Sequence, residues 1–597
     1  MPQRRENIKD MRNFKQRKVD KKFVFVNLLK YLKPYIPILV LVFIANIAAT
    51  ALSLVGPKLC GLAIDEIRLD GTTDFNKISV YAIILVGIYL LSAVLEYLSS
   101  IGMAYVSRGT VKKMRSDVFS HLNKLPVGYF DSRQTGDIIS VLSYDIDTVG
   151  ESLANDVMIV LKSVVSVVGS LVMMLMIAPV LVIVFAVTVP LSIFITRFIV
   201  KRVQPLFRGR SKRLGELNGF VEEMTTGQKT TRAYNCEDKI ISDFEVKNSE
   251  AVNAYTKAEY FGTISGPCVN LMNNVSLTLV SIFGALMYMY GSVSTGQISS
   301  FILYSRKFSG PINEIANIMG EFQSAIAAAE RVFRVLDESP EPADAEDAKP
   351  LENVSGDIEI EHLNFGYTND KRVIHDFSMS VKRGQVIAIV GHTGAGKTTI
   401  INLLMRFYDP DGGTIGIDGK DVNKLTRTSV RKAFTMVLQD TWLFSDTVYK
   451  NIVYANPEAT QEDVERVCKA AKIHSFIERL PQGYDTVLSE NAVNISKGQK
   501  QLLTIARAML SDSPMLILDE ATSNVDSRTE QIIQEAMKEL MKGKTCFVIA
   551  HRLSTIKHAD KILVMKSGDI VEQGTHDSLL KKGGYYSELY YSQFETA

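Results

Sequence analysis

Long stretches without a charged side chain constrain the fold of this 597-residue chain more than any other feature. Four of them cover residues 34–57, 78–95, 163–196 and 260–305. A helix that crosses a membrane needs about 20 apolar residues, because only internal hydrogen bonds can satisfy its backbone in hydrocarbon. Buried helices of a water-soluble protein could explain one or two such stretches but not all of them. The first half of the chain is therefore predicted to lie in a membrane.

Two of these stretches are too long for one span, and each contains a turn signal. Pro179 within "APV" interrupts the third stretch, and "GSVSTGQ" at Gly291–Gln297 interrupts the fourth. Proline and glycine-containing segments of this kind favour tight turns between helices. We therefore predict six membrane-spanning helices, at about 34–57, 78–100, 158–177, 180–200, 266–290 and 298–322.

Basic residues set the predicted orientation in the membrane. The long connections between spans two and three and between spans four and five are rich in lysine and arginine, whereas the loop 58–77 is slightly acidic. The positive-inside rule then places both termini and both connections in the cytoplasm. Over the whole chain 67 basic residues nearly balance 65 acidic ones, so no general affinity for nucleic acid is expected.

Composition divides the chain into four predicted segments. Residues 1–33 form a basic cytoplasmic arm and a short elbow helix, and residues 34–330 form the transmembrane domain. An acidic linker with proline and alanine follows at 331–355. Residues 356–597 have the composition of a soluble, cytoplasmic α/β domain.

Two charged residues, Glu96 and Lys162, fall inside or beside the predicted spans. They could line a polar pathway through the membrane. We favour the alternative that they lie near the cytoplasmic ends of their spans, where long side chains can extend to the interface.

The stretch "VIAIVGHTGAGKTTIINLL" has the pattern of a nucleotide-binding P-loop. A β-branched strand at 386–390 precedes a glycine-rich loop and a helix, which is the context that supports this motif. Backbone N–H groups of such a loop approach phosphate oxygens, Lys397 would neutralise the β- and γ-phosphates, and Thr398 would reach Mg²⁺. The predicted phosphate-binding residues are Gly391, His392, Thr393, Gly394, Ala395, Gly396, Lys397, Thr398 and Thr399.

Two later strands end in residues suited to ATP hydrolysis. "SPMLILDEATSNVD" has the pattern of a buried strand that ends in Asp519, expected to hold Mg²⁺ through water, and Glu520, expected to act as general base. "TCFVIAHRL" ends in His551, which we expect to contact the γ-phosphate and the attacking water. The alternative for His551 is a strand-end histidine whose hydrogen bonds are satisfied locally.

The order of these motifs, with "VLQDTWLF" and "ISKGQ" between the first and the second, resembles an ATP-binding cassette. With the preceding spans the chain resembles a half-size ABC exporter of the B-type, multidrug-resistance-like group, over nearly its whole length. The resemblance implies a membrane α-helical domain fused to an α/β P-loop cassette that uses ATP and Mg²⁺. It further implies ATP-driven export of an amphipathic drug, lipid or peptide across a bacterial cytoplasmic membrane by alternating access. A flippase for lipids or lipid-linked glycans and an ATP-gated channel or regulator are the alternatives.

The resemblance also assigns roles to single positions. Tyr367 in "NFGYTN" would stack on adenine, and Gln439 would link Mg²⁺ and the γ-phosphate to the transmembrane part. The segment 123–147 is similar to the family's first intracellular loop. Its coupling helix, and that of the loop near Thr226–Tyr234, would press on the cassette near Gln439. The residues implied around the metal are Thr398, Gln439 and Asp519.

The signature motif departs from the family pattern at one position. Ser496, Gly498 and Gln499 match the usual LSGGQ sequence, but Lys497 replaces its first glycine, and Asp526 matches the D-loop aspartate. Ser496 also suits the cap of the helix that follows. Lys497 would lose the backbone freedom of a glycine but add a cation.

A second half-transporter is the main partner that the resemblance implies. Two cassettes of this family close head-to-tail over two ATP molecules, so one chain alone lacks a complete site. In a homodimer both sites would carry the altered signature, whereas in a heterodimer this chain would be the catalytically intact subunit. We favour the heterodimer, and variation tolerated in an active homodimer is the alternative. Membrane lipid and a hydrophobic or amphipathic substrate are the other expected partners.

Overall fold

The computed structural model describes residues 21–67, 73–368, 371–438, 441–489, 495–519, 526–549 and 556–594. The chain divides into two compact units. Among the described residues, the helical unit lies within Lys18–Asn123 and Gly136–Glu338, and the α/β unit lies within Ser339–Ala597 and Lys124–Thr135. A piece of the connection after the second span therefore belongs to the α/β unit.

Helices account for most of the first 338 residues. Val141–Asp145 and Ser152–Asp156 form wider, π-type turns within the connection that follows the second span. The α-helices, in chain order, are α1 Lys21–Leu32, α2 Ile36–Asp65, α3 Phe75–Leu122, α4 Val127–Asp131, α5 Thr135–Ser140, α6 Ile146–Glu151, α7 Val157–Ile177, α8 Pro179–Thr226, α9 Gln228–Ala233, α10 Glu237–Thr263, α11 Ser265–Met289 and α12 Thr295–Asp337.

Apolar side chains cover the outside of the helical unit as well as its interior. Ile83 and Met176 are 72% and 77% exposed, whereas Met103 and Phe301 are buried. Such a surface is stable against lipid, where no polar partner is needed. Five helical segments in the described part of the chain are long and apolar enough to cross a membrane, so this is a multi-pass membrane protein. They are Lys22–Asp65, Phe75–Leu122, Thr135–Ile177, Pro179–Thr226 and Glu237–Met289.

Six spans were predicted, but only five helical segments of the described residues are apolar enough to count as spans. The sixth predicted span, 298–322, lies inside α12, which is long enough but less apolar because four charged residues fall within that range. Polar bonds hold α12 against α2, since the hydroxyls of Ser300 and Tyr304 donate to main-chain carbonyls of α2 at 2.9 and 2.5 Å. α12 also continues through Asp337, so the predicted linker 331–355 begins within a helix.

Both predicted turns between spans are confirmed. Ala178 leaves the helical conformation, with φ −153° and ψ 85°, directly before Pro179 begins α8. α12 begins with a capping box, in which Ser294 and Gln297 each accept a hydrogen bond from the other's backbone N–H. Local sequence therefore fixes where these helices start.

The α/β unit contains two sheets within the described residues. The strands are β1 Ile358–Phe365, β2 Ile374–Val381, β3 Val386–Val390, β4 Gly412–Ile417, β5 Lys420–Asp421, β6 Phe434–Val437, β7 Met515–Asp519, β8 Thr545–Ile549, β9 Lys561–Lys566 and β10 Asp569–Gly574. The helices are α13 Lys397–Leu404, α14 Arg427–Lys432, α15 Val448–Val453, α16 Gln461–Ala470, α17 His474–Ile477, α18 Lys497–Ser511, α19 Ser527–Met541, α20 His576–Lys582 and α21 Tyr585–Phe594.

The larger sheet brings the predicted nucleotide motifs to one edge. Its strand order is β10-β9-β3-β8-β7-β6, and all neighbours except β10 and β9 are parallel. Ile549 at the end of β8 pairs with both Ile389 of β3 and Asp519 of β7. Parallel sheets bind ligands at the carboxyl ends of their strands. The P-loop after β3 and the acidic end of β7 therefore meet at that edge.

Candidate functional site

The P-loop between β3 and α13 has a shape that depends on glycine at three positions. Gly396 directly precedes α13 with a φ of +100°, where a side chain would be strained. At Gly391 a Cβ atom would lie 2.4 Å from the carbonyl oxygen of Met565. Gly394 has a φ of +82°, which also favours glycine, although an added Cβ atom there would meet open space. The loop thus presents bare backbone beside the first turn of α13, whose N–H groups have no acceptor within the helix.

Lys397, the first residue of α13, lies folded over this loop. It is 9% exposed, and its ammonium donates to the carbonyl oxygens of Gly391 (2.7 Å) and His392 (3.1 Å). Burial lowers the pKa of Lys397, and the negative charge of Asp519 acts in the opposite direction. These two bonds use two of the three N–H donors of the ammonium. The cation is therefore already placed where a phosphate would meet the loop.

Oxygen atoms suited to a metal lie near this lysine. Asp519 ends β7, and Thr398 lies exposed in the first turn of α13. Carboxylate and hydroxyl oxygens suit Mg²⁺, while N–H groups and an ammonium suit phosphate. The residues present therefore fit a nucleoside triphosphate with its magnesium ion.

Tyr367, the predicted adenine contact, lies beside α13. Its hydroxyl donates to Thr399 Oγ1 and accepts from Asn402 Nδ2, both at 3.2 Å. Its ring packs edge-to-face against Phe365 and Tyr408, with centroid distances of 5.0 and 5.1 Å. The side chain nevertheless stays 38% exposed, which leaves ring surface for a nucleotide base.

The signature motif forms the capped start of α18. Ser496 Oγ accepts from the Gln499 N–H (3.2 Å), and Gln499 Oε1 accepts from the Ser496 N–H (2.8 Å). The prediction that Ser496 caps this helix is confirmed. Phosphate contact by Ser496 and Gln499 stays a prediction. It is compatible with the cap, because a hydroxyl that accepts one bond can still donate another.

Lys497 lies at the first helical position of α18 and is exposed. It has no positive φ, so the expected loss of a glycine's backbone freedom carries no cost here. Its charge stands at the positive end of the helix dipole, which is favourable only when an anion is close. The lysine therefore changes the charge of this helix start without changing its shape.

Asp526 has a structural role within this chain. Its side chain accepts from the Thr529 N–H (3.0 Å) and so caps α19. This hydrogen bond lowers the pKa of the Asp526 carboxyl. Its role in the D-loop, the one expected from the sequence, stays a prediction.

Gln439, Glu520 and His551 lie outside the described residues, so their roles stay predictions. The strands that lead to Glu520 and His551 are described, and their last residues, Asp519 and Ile549, pair in register.

A half-buried arginine that was not predicted from the sequence anchors the signature helix. Arg507 in α18 donates to the main-chain oxygen of Asn451 (2.7 Å), to its side-chain oxygen (3.0 Å) and to the carbonyl of Trp442 (3.0 Å). Burial lowers the pKa of this guanidinium. The signal in the sequence is an arginine inside the apolar run "QLLTIARAML", because such a charge needs buried acceptors.

The helical unit holds a separate group of charged residues. Lys162 of α7 and Glu96 of α3 form an ion pair, with Nζ and Oε1 2.5 Å apart, rather than acting as two separate interfacial charges. Lys307 of α12 lies near Lys162, and its ammonium contacts Ser53 Oγ of α2 at 3.3 Å. Lys307 was not among the predicted functional residues, although a lysine within a predicted span was a visible signal.

Two family models match the chain, one for the ABC transporter transmembrane region at residues 39–312 and one for the ABC transporter at residues 374–523. The chain is 43% identical to the ABC transporter ATP-binding protein YfiC of Bacillus subtilis (strain 168), over 94% of this chain and 92% of that protein. It is 39% identical to a fatty acid ABC transporter ATP-binding/permease protein of Mycobacterium bovis, over 86% of this chain and 82% of that protein. The solved structure of a bacterial Atm1-family ABC exporter with ATP bound is similar, with a TM-score of 0.74, 28% identity, and coverage of 94% of this chain and 98% of that one.

Proposed function

The chain belongs to the ABC transporter family with the architecture of a half-size exporter, and we propose that it exports a lipid-like amphipathic molecule with an acidic head group. Transport is coupled to ATP hydrolysis by the α/β unit. The proposal concerns the substrate, the residue roles and the dimer.

The donor set at the sheet edge supports the roles proposed for the P-loop and Asp519, and the family resemblance supports those of Glu520, His551 and Gln439. Lys397 and the P-loop N–H groups would hold the phosphates, while Thr398 and Asp519 would hold Mg²⁺, which neutralises phosphate charge when bound. Glu520 takes the proton of the attacking water, and His551 orients that water. Gln439 is assigned the remaining role, in which it links the presence of the γ-phosphate to the conformation of the transmembrane helices.

Lys307 is the observation that carries the substrate proposal. It lies twelve residues after Thr295, the first residue of α12, which is about 18 Å along a helix. The hydrocarbon core is about 30 Å thick, so a helix that enters it at Thr295 would carry this lysine inside it. A Ser53 hydroxyl is the one hydrogen-bond partner of its ammonium among the described residues. An ammonium placed so deep is costly and calls for an anion.

The neighbours of Lys307 favour one anionic group rather than several. Lys162 is already paired with Glu96, so the three side chains together carry one surplus positive charge. A carboxylate or phosphate could neutralise it, while an acyl tail would pack along the apolar helices. The fatty acid transporter relative supports the same substrate class.

Lys307 also lies at a local break in the helix hydrogen bonding. Pro311 has no N–H to donate to the Lys307 carbonyl four residues earlier, and the Ser166 hydroxyl of α7 donates to that carbonyl instead, at 3.0 Å. A Lys307→Met substitution keeps this backbone contact and removes the ammonium together with its bond to Ser53. That variant is therefore a clean probe of the ammonium.

Proteoliposomes that contain the dimeric transporter test the proposal with two probes of equal tail, oleate and oleyl alcohol. We expect oleate to stimulate ATP hydrolysis and to accumulate on the far side, and oleyl alcohol to do neither. Lys307→Met should shift the oleate response to about tenfold higher concentration, as for one lost charge-assisted hydrogen bond. Arg306→Met removes the adjacent, exposed charge and should leave the response unchanged.

Equal stimulation by oleyl alcohol, or an unchanged oleate response in Lys307→Met, would contradict the acidic head group. Reorientation of lipid head groups between leaflets without release would favour the flippase. Passive flux down a gradient, with no accumulation against it, would favour the channel.

Half-transporters of this kind act as dimers, and the choice between a homodimer and a heterodimer stays a prediction. Because Lys497 leaves the helix start intact, two identical signatures remain sterically possible. ATP hydrolysis by the chain purified alone at a normal family rate would support the homodimer. Activity that appears only after a second half-transporter is added would support the heterodimer that the sequence favours.

A further inference from the structure

A short helix of the first cytoplasmic connection is docked on the α/β unit through one tyrosine. Helix α4, Val127–Asp131, belongs to this unit together with the rest of Lys124–Thr135. The Tyr408 hydroxyl donates to Asp131 Oδ2 at 2.6 Å. A Cβ atom at Gly128 would lie 3.0 Å from the Tyr408 ring, so the glycine allows this close approach. Tyr408 therefore touches α4 at both ends of the helix.

The same tyrosine packs against the predicted adenine contact. Its ring lies edge-to-face with Tyr367 at 5.1 Å and with Phe365 at 5.6 Å between centroids. Phe365 ends β1 and is buried, which fixes one side of this aromatic trio. Aromatic pairs in this geometry prefer a narrow range of orientations. A change in the freedom of the Tyr367 ring therefore reaches Tyr408 directly.

The bond to α4 persists across the working pH range. Burial, reinforced by the charge of Asp131, raises the pKa of the Tyr408 phenol. The phenol thus keeps its proton and remains a donor to the carboxylate. Of the three aromatic residues, Tyr408 is the one whose hydroxyl reaches α4.

We propose that Tyr408 is a positioning residue that couples occupancy of the base site on Tyr367 to the order of helix α4. A purine base stacked on Tyr367 would restrict that ring, and the trio would pass the restriction to Tyr408 and its Asp131 bond. This route responds to the base of the nucleotide, whereas the predicted route through Gln439 responds to the γ-phosphate. The inference rests on the proposed adenine role of Tyr367.

Hydrogen exchange of residues 124–135 in the full-length protein tests this coupling. The probes are magnesium adenylyl imidodiphosphate, which has base and phosphates, and magnesium tripolyphosphate, which has phosphates alone. We expect adenylyl imidodiphosphate to slow exchange of this segment about tenfold, which corresponds to the stabilisation of one charge-assisted hydrogen bond. Tripolyphosphate should leave the exchange unchanged. Tyr408→Phe, which removes only the hydroxyl, should abolish the difference.

Two further variants keep the test decisive. Tyr449→Phe removes a cassette hydroxyl that donates to the Ala459 carbonyl away from α4, and it should retain the base-dependent protection. Asp131→Ala removes the acceptor and leaves the α/β core intact, so it decides the matter if Tyr408→Phe does not fold. Retained protection in Tyr408→Phe or Asp131→Ala, or equal protection by tripolyphosphate, would overturn the proposal.

Failure of the adenine role is distinguishable from failure of the coupling. Tyr367→Leu should weaken adenylyl imidodiphosphate binding and leave tripolyphosphate binding unchanged. If Tyr367→Leu binds both probes as tightly as the unmodified protein, Tyr367 does not contact the base. Normal weakening in Tyr367→Leu with full protection in Tyr408→Phe would instead leave the base site standing and reject only the role of Tyr408.

Discussion

Two helices of the α/β unit begin with a lysine, and their first turns are built in opposite ways. α13 begins at Lys397 after Gly396, which has a left-handed backbone and no side chain to cap the helix. α18 begins at Lys497 after Ser496, which caps it in a reciprocal pair with Gln499. Lys397 is buried against its own loop, whereas Lys497 is exposed.

The first turn of α13 has N–H groups that a bound phosphate could satisfy, whereas the first turn of α18 is stabilised by its own side chains without a ligand. At α13 the N–H groups of the first turn have no side-chain acceptor, so an anion would satisfy them. At α18 the cap already satisfies part of the first turn, and its lysine points into solvent. We infer that α13 owes part of its order to nucleotide, while α18 keeps its shape until another surface meets it.

The largest expected effect comes from Glu520→Gln. Because this variant should bind ATP without hydrolysing it, the starts of α13 and α18 can be compared with each other in the ATP-bound protein. A general base contributes about 10²- to 10⁴-fold to rate. Hydrolysis should fall by that factor while ATP still binds, as measured by phosphate release and by labelled-ATP binding. Turnover close to that of the unmodified protein, with the dimer partner present, would remove Glu520 from the mechanism.

Replacement of the two lysines tests the contrast most directly. Lys397→Ala should weaken ATP binding about 10- to 100-fold, because it removes buried charge-assisted hydrogen bonds. Lys497→Ala should change binding to the isolated chain by less than about twofold, since that side chain is exposed. Equal losses in a fluorescent-ATP titration would erase the distinction between the two helix starts.

A methyl group at Gly396 tests the left-handed start of α13. Gly396→Ala would force φ +100° on a residue with a side chain and bring Cβ to 2.8 Å from Ile374 Cδ1. We expect a cost of about 1–3 kcal/mol, seen as a lower thermal midpoint of the α/β unit. Gly219→Ala in α8, where no atom lies within 4 Å, is the matched control and should not destabilise the protein.

Loss of the cap tests the self-sufficient start of α18. Ser496→Ala should cost about 1 kcal/mol, which corresponds to about fivefold faster hydrogen exchange in the first turn of the nucleotide-free protein. Ser496→Asp supplies another acceptor and should restore slow exchange. Unaltered exchange in Ser496→Ala would mean that packing alone orders this turn.

The smallest effect is expected from Lys497→Gly, which restores the usual signature. Because a first helical position needs no special backbone, ATP hydrolysis by the dimer should change by no more than about twofold. A rise of tenfold or more would show that the lysine impairs the site. The heterodimer interpretation would then gain support.

Local patterns could be predicted, whereas the residue pairs that join distant segments could not. The family resemblance implied that the segment 123–147 contacts the cassette, but not which residues make that contact. The strand, loop and helix around Lys397 follow from short-range periodicity and glycine placement, and the cap at Ser496 follows from one residue next to an apolar run. The sixth span was harder to judge, because the ammonium of Lys307 in α12 has its hydrogen-bond partner, Ser53, on α2, which no local window contains.

The contact between Tyr408 and Asp131 lies wholly beyond sequence reasoning of this kind. The two residues are 277 positions apart, and each looks ordinary in its own segment. The pairing of Glu96 with Lys162 is similar, since the sequence offers two charges but not their meeting. Both contacts are set by tertiary packing, which local sequence motifs do not encode.

The α/β unit combines residues 124–135 with residues from 339 onwards, and this has a consequence for biosynthesis. Residues 124–135 leave the ribosome long before Tyr408 does, and a separation of 277 residues corresponds to roughly 15 to 55 seconds at ordinary translation speeds. During that interval the newly made segment has no docking surface and depends on the growing chain or a chaperone for protection. A nascent chain arrested before Tyr408 should therefore be cut by protease within this segment, and a completed one should resist.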